Sequence, residues 1–196
     1  MKRVTLLLAV VMIFALAVSA SAIDQKGKFS LGGYGGYGFG FGDVFKKVEF
    51  GEYSVQNKIT FCFGAKVKYG LTPNVALAGA IDYQGVKTEA KGDFEGFDLS
   101  ASENWHWMAI LLNAVYVFSP EAKTSPYVTA GGGYYIPSLS GADSKPGINA
   151  GIGLEHFFQP NLALDAGARF HMIMTKDKST TYVQGLVGLN YYFGAK

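Results

Sequence analysis

The chain alternates between apolar residues and small or polar residues over most of its length, and residues 180–193 show the pattern most fully. One face of this last segment carries Val187, Leu189, Tyr191 and Phe193. Alternation with a period of two predicts a β-strand whose faces meet different surroundings. Such a strand would leave an unpaired edge in an open sheet, whereas in a closed barrel it can pair with the first strand.

Seven earlier segments alternate in the same way. They are residues 29–41, 57–69, 75–84, 104–118, 127–136, 147–158 and 162–174. In the second segment we expect Ile59, Phe61 and Phe63 on the outer face and Lys58 on the inner face. The fourth segment is apolar on both faces, and we place Met108 and its even-numbered neighbours outward because this turns Asn113 inward.

The connections between the segments alternate in length. Short turns with prolines follow the second, fourth and sixth segments, whereas the longer connections 43–56, 85–103 and 137–146 follow the first, third and fifth. Short turns at one end and long loops at the other are typical of outer-membrane barrels. A closed barrel also satisfies all backbone groups in lipid without helices. The pattern predicts an all-β fold, an eight-stranded antiparallel up-and-down transmembrane β-barrel.

The N-terminus predicts a cleavable signal peptide before this barrel. Lys2 and Arg3 precede an apolar run over residues 4–18, and small residues follow up to Ala22. Charged, apolar and small regions in this order are typical of secretory signals. The apolar run is shorter than the roughly 20 residues of a membrane-spanning helix. We therefore expect a signal peptide at residues 1–22 and a barrel domain at residues 23–196.

The composition suits a membrane barrel. The chain contains 26 glycines, 15% aromatic residues and only 16% charged residues. A β protein of this composition has a large apolar surface, which contact with lipid would remove from water. Beyond Lys2 and Arg3 the chain carries 15 basic and 15 acidic side chains, which argues against a nucleic-acid partner because such a partner needs a basic patch. Cys62, the only cysteine, is expected to be a small structural residue.

The order of four motifs resembles the small eight-stranded outer-membrane barrels of the OmpA, OmpX and opacity-protein type. The motifs are YGLTPNVALAGAIDY at 69–83, PYVTAGGGY at 126–134, GINAGIGLEHFF at 147–158 and LNYYF at 189–193. The resemblance implies a location in a Gram-negative-type outer membrane, contact with outer-membrane lipid and lipopolysaccharide, and recognition by the barrel-assembly machinery. It also implies an assembly signal at Val187, Leu189, Tyr191 and Phe193, although Gly194, Ala195 and Lys196 extend the chain beyond the usual terminal Phe.

The inward positions predict a polar network in the barrel lumen. Its members are Lys66, Lys68, Asp82, Glu155, Asp165, Arg169 and His171. An eight-stranded barrel is only just wide enough inside for side chains, and buried charges require partners. We expect Arg169 to pair with Glu155, with Asp165 and Asp82 as alternatives. The other interpretation is a polar pathway for small solutes.

The sequence predicts no catalytic, cofactor or metal site. None of His106, His156 and His171 has a serine two residues away, as the pattern of the lipid A deacylases requires, and no spacing of ligand residues repeats. The glycines at 33–38 match a dinucleotide-binding motif, but the motif lies within an alternating strand instead of opening a helix.

Other residues predict contacts at the membrane surface. Aromatic girdles at the membrane interfaces are expected from Trp105, Trp107, Tyr53, Tyr83, Tyr116, Tyr134 and Tyr135. The connection 85–103 has a net charge of −3, which suits a solvated face or lipopolysaccharide with bridging divalent cations.

Two functional classes remain open from the sequence. The first is a non-catalytic outer-membrane protein with a role in envelope integrity or in surface interactions through its extracellular loops, with an unidentified surface ligand. The alternative is a narrow porin-like channel or carrier for small solutes.

Overall fold

The structure is a computed structural model that describes residues 24–51, 53–94, 97–139, 141–175 and 179–194. The predicted signal peptide at residues 1–22 lies outside the described residues, so its boundary stays a prediction. Within the described ranges, no helix is long and apolar enough to cross a membrane.

Nine β-strands make up nearly all of the described chain. They are β1 (Phe29–Phe41), β2 (Val48–Phe50), β3 (Tyr53–Gly70), β4 (Val75–Phe94), β5 (Phe97–Val117), β6 (Thr124–Pro137), β7 (Lys145–Gln159), β8 (Leu162–Ile173) and β9 (Thr180–Tyr192). Each strand pairs antiparallel with its neighbour, and β1 pairs with both β9 and β3. The predicted eight-stranded barrel is therefore confirmed, and β2 is a short addition whose pairing partner within the described ranges is β3.

The barrel closes with a marked stagger. We followed the directly paired residues once around the barrel, starting at Ser30 and passing from β3 to β9. The path returns to β1 at Gly40, which is ten residues away from its start. A stagger requires the strands to tilt, and with eight strands the interior is just wide enough for side chains to fill. The width of the lumen thus follows from strand number and register.

The outer face forms a continuous apolar belt. On β5, Leu112 is 65% exposed, whereas its neighbours Leu111 and Asn113 are 2% and 3% exposed. Met108 and Ile110 are also exposed, so the predicted facing of this strand is confirmed. In a membrane this belt contacts lipid, because the outward side chains are apolar and the side chains between them face the lumen.

The predicted outward position of Ile59 is wrong. The register between β3 and β4 shifts between Ile59 and Cys62, and an irregularity of this kind adds a residue to one strand and reverses the alternation beyond it. Ile59 is consequently buried in the lumen and Lys58 is exposed on the outer face. Gly38 leaves room for Ile59, since a Cβ at this position would clash with the Ile59 side chain.

The predicted long loop at 85–103 is also wrong, because most of it is strand. β4 continues to Phe94 and β5 begins at Phe97, and the two strands pair along this whole length. In this stretch of β4, the uncharged residues Val86, Thr88 and Ala90 alternate with charged residues. The alternation typical of a strand therefore continues, although the outer face is no longer apolar. We call β2 together with residues 53–58, 87–94 and 97–105 the projecting sheet.

The predicted aromatic girdle is wrong for four of its members. Tyr53 lies on the inner face of the projecting sheet, opposite Gly92. Trp107 and Tyr135 are buried inside the barrel, and Trp105 is half-buried on the same face as Trp107. Trp105 and Trp107 have odd numbers on β5, so both must face inward once Met108 faces outward. Tyr135 on β6 pairs with Ala109 and therefore faces inward as well. The period of the strand therefore overrides the preference of Trp and Tyr for membrane interfaces.

An arginine on the apolar belt tests the facing. We expect Leu112→Arg to cost about 2–4 kcal/mol if it lies near the bilayer midplane, because the charge enters hydrocarbon. Ser102→Arg is the matched control, since it lies on the same face of β5 but beside Glu89 in the projecting sheet; its cost should stay within about 0.5 kcal/mol. Urea unfolding in lipid vesicles measures both, and equal costs would contradict the assignment.

Candidate functional site

Polar side chains fill the barrel interior. The structure places all seven residues of the predicted lumen network at inward positions, and six of them are buried, while the side chain of Lys66 is 13% exposed. These residues are Lys66, Lys68, Asp82, Glu155, Asp165, Arg169 and His171. Strand alternation brings them together from β3, β4, β7 and β8.

Glu155 is the centre of a cluster near the end of the barrel with the short turns. Its carboxylate accepts hydrogen bonds from Lys68 Nζ at 2.9 Å, Asn190 Nδ2 at 2.6 Å and Tyr192 OH at 2.7 Å. Gln25, which precedes β1, also donates to it at 3.4 Å. The carboxylate is only 1% exposed, so these donors replace the water that the ion has lost.

Asp165 forms a second ion pair beside this cluster. It accepts hydrogen bonds from Lys66 Nζ, from Tyr127 OH at 2.8 Å and from Asn190 Nδ2 at 3.0 Å. The amide of Asn190 therefore bridges Asp165 and Glu155. Two lysines and two carboxylates balance each other at this end of the lumen.

A third ion pair crosses the lumen between β8 and β4. Arg169 Nη1 donates to Asp82 Oδ2 at 2.9 Å, and the Tyr34 hydroxyl donates to the other oxygen of the same carboxylate. The guanidinium lies over the Tyr34 ring, 5.5 Å from its centroid, where a cation–π attraction operates. Tyr34 had no place in the predicted network, although its inward position on β1 was visible in the sequence.

The expected pairing of Arg169 with Glu155 is wrong. The β7–β8 register places Glu155 opposite Asp165, whereas Arg169 lies opposite Gly151. Four residues of strand separate the two levels, which is about 13 Å at 3.3 Å per residue. Asp82, named as an alternative, lies across the lumen at the level of Arg169 and takes this role.

His171 belongs to a neutral cluster toward the opposite end. Its Nε2 lies 2.9 Å from Gln184 Oε1, which can only accept, so Nε2 carries the proton and Nδ1 accepts from Tyr135 OH at 2.9 Å. The ring stacks on Tyr182 at 4.5 Å, and the Tyr182 hydroxyl accepts a hydrogen bond from Trp107 Nε1 at 3.1 Å. These contacts place His171 in a packed aromatic layer.

The amide of Gln84 satisfies the irregular stretch of β3. Its Nε2 donates to the carbonyls of Thr60 at 3.0 Å and Phe61 at 3.2 Å, where the ladder with β4 is interrupted. Its Oε1 accepts from Gln184 Nε2 at 3.0 Å. Neither glutamine was predicted to matter, because an uncharged inward residue gives no signal before the irregularity in β3 is known.

A small cavity lies among the ion pairs. It measures about 20 Å³ and is lined by Lys66, Lys68, Asp165, Arg169 and Asn113, among others. This is the space of about one water molecule. Among the described residues, Asn113 Oδ1 and both amide atoms of Asn149 are buried without a hydrogen-bond partner. Gly131 lies between these two asparagines in the register, where it leaves room for the amide of Asn113.

The structure brings one hydroxyl close to a histidine that the sequence had not paired. Thr124 Oγ1 lies 2.7 Å from His156 Nδ1 on the outer face near the short turns. A nucleophile needs a base that a third group orients. Over the ranges that the structure describes, no carboxylate hydrogen-bonds to His156, and no cluster of three or more His, Cys, Asp or Glu residues could hold a metal ion.

The outer face of the projecting sheet carries an exposed charge cluster. Glu89 accepts hydrogen bonds from Lys58 at 2.6 Å and contacts Lys87 at 3.0 Å. The hydrogen bonds from Lys58 and Lys87 lower the pKa of the Glu89 carboxyl from 4.5 to about 2. The cluster lies directly beyond the apolar belt, at the end with the long connections.

The four residues of the predicted assembly signal lie along the closing strand. Val187, Leu189 and Tyr191 are exposed on the outer face of β9, and Phe193 follows directly. The backbone N–H of Phe193 donates to Phe29 O at 2.8 Å, which extends the seam between the last and first strands. Their role in assembly stays a prediction.

Comparison with known proteins places this barrel among related folds. A family model described as the outer membrane protein beta-barrel domain matches residues 6–193. No curated protein sequence matches the chain.

Solved structures of low sequence identity share the fold. OprG of Pseudomonas aeruginosa is 11% identical, covers 87% of this chain and 98% of its own, and has a TM-score of 0.58. The N-terminal β-barrel domain of OprF from the same organism is 17% identical, with coverage of 86% and 98% and a TM-score of 0.53. Ail, the attachment invasion locus protein of Yersinia pestis, is 17% identical, with coverage of 86% and 99% and a TM-score of 0.51.

Removing one member of the buried ion pair tests its partner assignment. We expect Arg169→Ala to lower stability by about 3–5 kcal/mol, because it leaves the Asp82 carboxylate without its cation. Adding Asp82→Ala should recover part of this loss, by about 0.5–3 kcal/mol of coupling. The matched control is Arg169→Ala with Glu155→Ala, where the two costs should add. Urea unfolding of the folded barrel measures the cycle, and coupling to Glu155 in place of Asp82 would refute the assignment.

Proposed function

The chain belongs to the outer membrane protein beta-barrel domain family, and from this premise we propose that it is a non-catalytic outer-membrane protein whose function is carried by its extracellular surface. Its barrel serves as a closed membrane anchor, and the projecting sheet is the functional part. This arrangement supports a role in envelope integrity or in surface interaction. The observation that carries the proposal is a filled lumen below a large sheet that the barrel does not need.

Three buried ion pairs and an aromatic layer support the closed lumen. The pairs of Lys68, Lys66 and Arg169 lie at successive positions inside the barrel, and the layer around His171 lies beyond them. Each carboxylate is satisfied by several donors, so opening a path would leave buried charges without partners, which is costly. This packing supports a lumen that carries no steady flow of solute.

The length of β4 and β5 supports the surface role. These strands contain 20 and 21 residues, about twice the 9–11 residues that a tilted strand needs to cross a bilayer. The outer face of the excess length is polar and charged, so it lies in water on the side of the long connections. A barrel that acted only as an anchor would need no such extension.

Lys58 and Lys87 support a contact with lipopolysaccharide. Both lie on the outer face directly beyond the apolar belt, where lipid phosphate groups are found, and both already contact Glu89. A lysine is a compact cation that suits phosphate. Lipopolysaccharide would thus contact the outside of the barrel, and this contact does not involve the lumen.

A catalytic role is less well supported. Thr124 and His156 form a pair of a hydroxyl and a possible base, and the Phe158 ring packs edge-on against the histidine with 5.2 Å between ring centroids. Among the described residues no carboxylate hydrogen-bonds to this histidine to orient it. The hydrogen bond between Thr124 and His156 satisfies two polar groups on the outer face near the membrane surface.

A narrow channel or carrier is the second candidate. The cavity of about 20 Å³ and the unpartnered amides of Asn113 and Asn149 favour it, because polar groups in a space of this size can hold water. A path through the barrel would need more such spaces in line with the first, and the ion pairs occupy the positions beside it.

Measurement of current through single molecules separates the two candidates. We expect the wild-type barrel in planar lipid bilayers to show no steady conductance steps, because three ion pairs cross its lumen. An open porin incorporated under the same conditions is the positive control for insertion. Large and stable current steps from the wild type would refute the closed lumen and establish the channel candidate.

We also propose that the outward residues at the end of β9 direct assembly, as the resemblance implied. Replacing Tyr191 and Phe193 together by Ser should leave protease-sensitive, unfolded protein in cells, whereas replacing Phe118 and Phe158 by Ser should not. The control pair is equally exposed and aromatic, but it lies outside the closing strand. Heat-modifiable migration of folded barrels in gels measures the difference, and equal folding of the two double variants would contradict a signal in β9.

A further inference from the structure

The chain turns inward directly after β1. A short 3-10 helix, Asp43–Phe45, follows the strand at the end of the barrel with the long connections, here called the outer mouth. Gly42 makes the turn possible, because its φ of +83° lies in the left-handed region that favours glycine. The start of the predicted long connection 43–56 therefore lies over the lumen. We call residues 42–47 the lid.

Phe45 is the part of the lid that enters the barrel. It is only 7% exposed and belongs to an apolar cluster inside the lumen. Other members of this cluster include Ile59, Val86, Trp107 and Tyr182. Gly40 leaves room for the ring, since a Cβ at this position would lie 2.3 Å from it. The ring of Phe45 thus fills the outer mouth.

Two amide side chains of β3 hold the backbone of the lid. Asn57 Nδ2 donates to Val44 O at 3.1 Å, and Gln56 Nε2 donates to Phe45 O at the longer distance of 3.4 Å. The net contribution of such a hydrogen bond is modest, since water can replace either partner when the two separate. The contact between Asn57 and Val44 can therefore place the lid and still be released.

The amide of Asn57 has a fixed orientation. Thr88 Oγ1 donates to Asn57 Oδ1 at 2.7 Å, and Trp105 Nε1 donates to the Thr88 oxygen at 3.1 Å. Because the indole of Trp105 can only donate, the direction of the whole chain is determined, and Nδ2 of Asn57 is left to face the lid. These three residues lie on β3, β4 and β5, so the contact that holds the lid is built into the sheet.

The opposite mouth is closed by stronger bonds. Residues 25–28 lie beside the end of β3, where Gly27 N donates to Gly70 O at 2.8 Å and Gly70 N donates to Lys28 O at 3.1 Å. Within the described part of the chain, no backbone–backbone hydrogen bond joins Val44 or Phe45 to a strand. The two segments that flank β1 thus differ, because backbone bonds hold the one before the strand and side chains hold the one after it.

We propose that the lid is a movable closure of the outer mouth, which swings outward at Gly42 and withdraws Phe45 while the barrel and its ion pairs stay intact. This inference rests on the closed lumen proposed above and names the element that separates outer water from the aromatic layer. In the open state, Ile59, Val86 and Trp107 line a space of the size of one phenyl ring. Opening is a local event, since it releases one ring and two amide contacts.

Labelling of a thiol below the lid measures its opening. Ile59→Cys places the thiol at a position that is 4% exposed beneath Phe45, and Cys62→Ala removes the native thiol from the same chain. We expect a small methanethiosulfonate reagent to label residue 59 in lipid nanodiscs, because each opening of the lid exposes it to water.

The native chain supplies the matched control for this labelling. Cys62 is also buried, but it lies three residues further along β3 toward the opposite mouth, so it should stay unlabelled. An unlabelled thiol at residue 59 would overturn the lid. Labelling of both thiols at the same rate would indicate opening of the whole barrel and would overturn it as well.

A variant of Asn57 tests the contact that holds the lid. Asn57→Asp keeps the acceptor for Thr88 but offers no donor to Val44 O, so labelling of residue 59 should become about fivefold faster. The matched control is Asn74→Asp, because Asn74 Nδ2 donates to Val117 O at 2.8 Å in the same way at the end with the short turns. This control should leave the rate unchanged, and equal effects of the two substitutions would overturn the proposal.

A disulfide provides a reversible lock. Since a Cβ at residue 40 would lie 2.3 Å from Phe45 Cγ, Gly40→Cys and Phe45→Cys bring two Cβ atoms within about 4 Å, which suits a disulfide. Trp105 and Trp107 are the two tryptophans of the chain, so acrylamide quenching of their fluorescence reports access of water to this layer. In a chain with Cys62→Ala, quenching should be about twofold stronger after reduction than before. Equal quenching in both forms would overturn the lid.

Brominated lipid distinguishes motion of the lid from motion of the barrel wall. Both tryptophans face the inside, so quenching by brominated lipid should be weak and equal in the oxidised and reduced forms. Quenching by lipid that rises on reduction would assign the movement to the wall and overturn the proposal. Heat-modifiable migration in gels confirms that each variant is folded.

The outcomes separate this inference from the proposed function. An unlabelled residue 59 in a barrel that shows no steady conductance would overturn the lid and leave the closed, surface-acting barrel standing. A labelled residue 59 with an unlabelled Cys62, in a barrel that conducts strongly, would support the lid and refute the closed lumen.

Discussion

Closure of the backbone ladder between the first and last strands is the constraint on which the rest of the structure depends. Lipid offers no hydrogen-bond partner, so each N–H and C=O within the membrane must pair inside the protein. β1 meets this condition by pairing with β9 along almost its full length and with β3 on its other side. Once eight strands close in this way, the width of the lumen is no longer adjustable.

A lumen of fixed, small width determines the chemistry inside it. Lys66, Lys68 and Arg169 cannot keep full hydration shells there, so each needs a carboxylate and each carboxylate needs further donors. Tyr34, Tyr127 and Asn190 supply these donors from other strands. The same side chains that neutralise the charges also occupy the space, and for this reason pairing and closure of the lumen are one property of the barrel.

The sequence predicted the facing of the strands well because period two is a local property. It failed at Ile59, where an irregularity in β3 reverses the alternation, because Lys58 and Ile59 continue the pattern without a break and only pairing with β4 reveals the shift. It also failed for the partner of Arg169, because the choice between Glu155 and Asp82 depends on register and on contacts across the lumen. The burial of Trp107 could have been predicted, since the facing assigned to Met108 already required it.

The projecting sheet shows what happens where the membrane constraint ends. Inside the bilayer, β5 has a neighbour on both sides, and its outward face is apolar. Beyond Trp107 the solvent can satisfy backbone groups, so β6 is free to stop at Pro137 without a penalty in folding. Among the described residues, β4 is the strand that pairs with residues 97–105 of β5, and backbone groups on the other side cost little in water. The rigidity of the barrel thus gives the projecting sheet a fixed base, and a surface role depends on such a base.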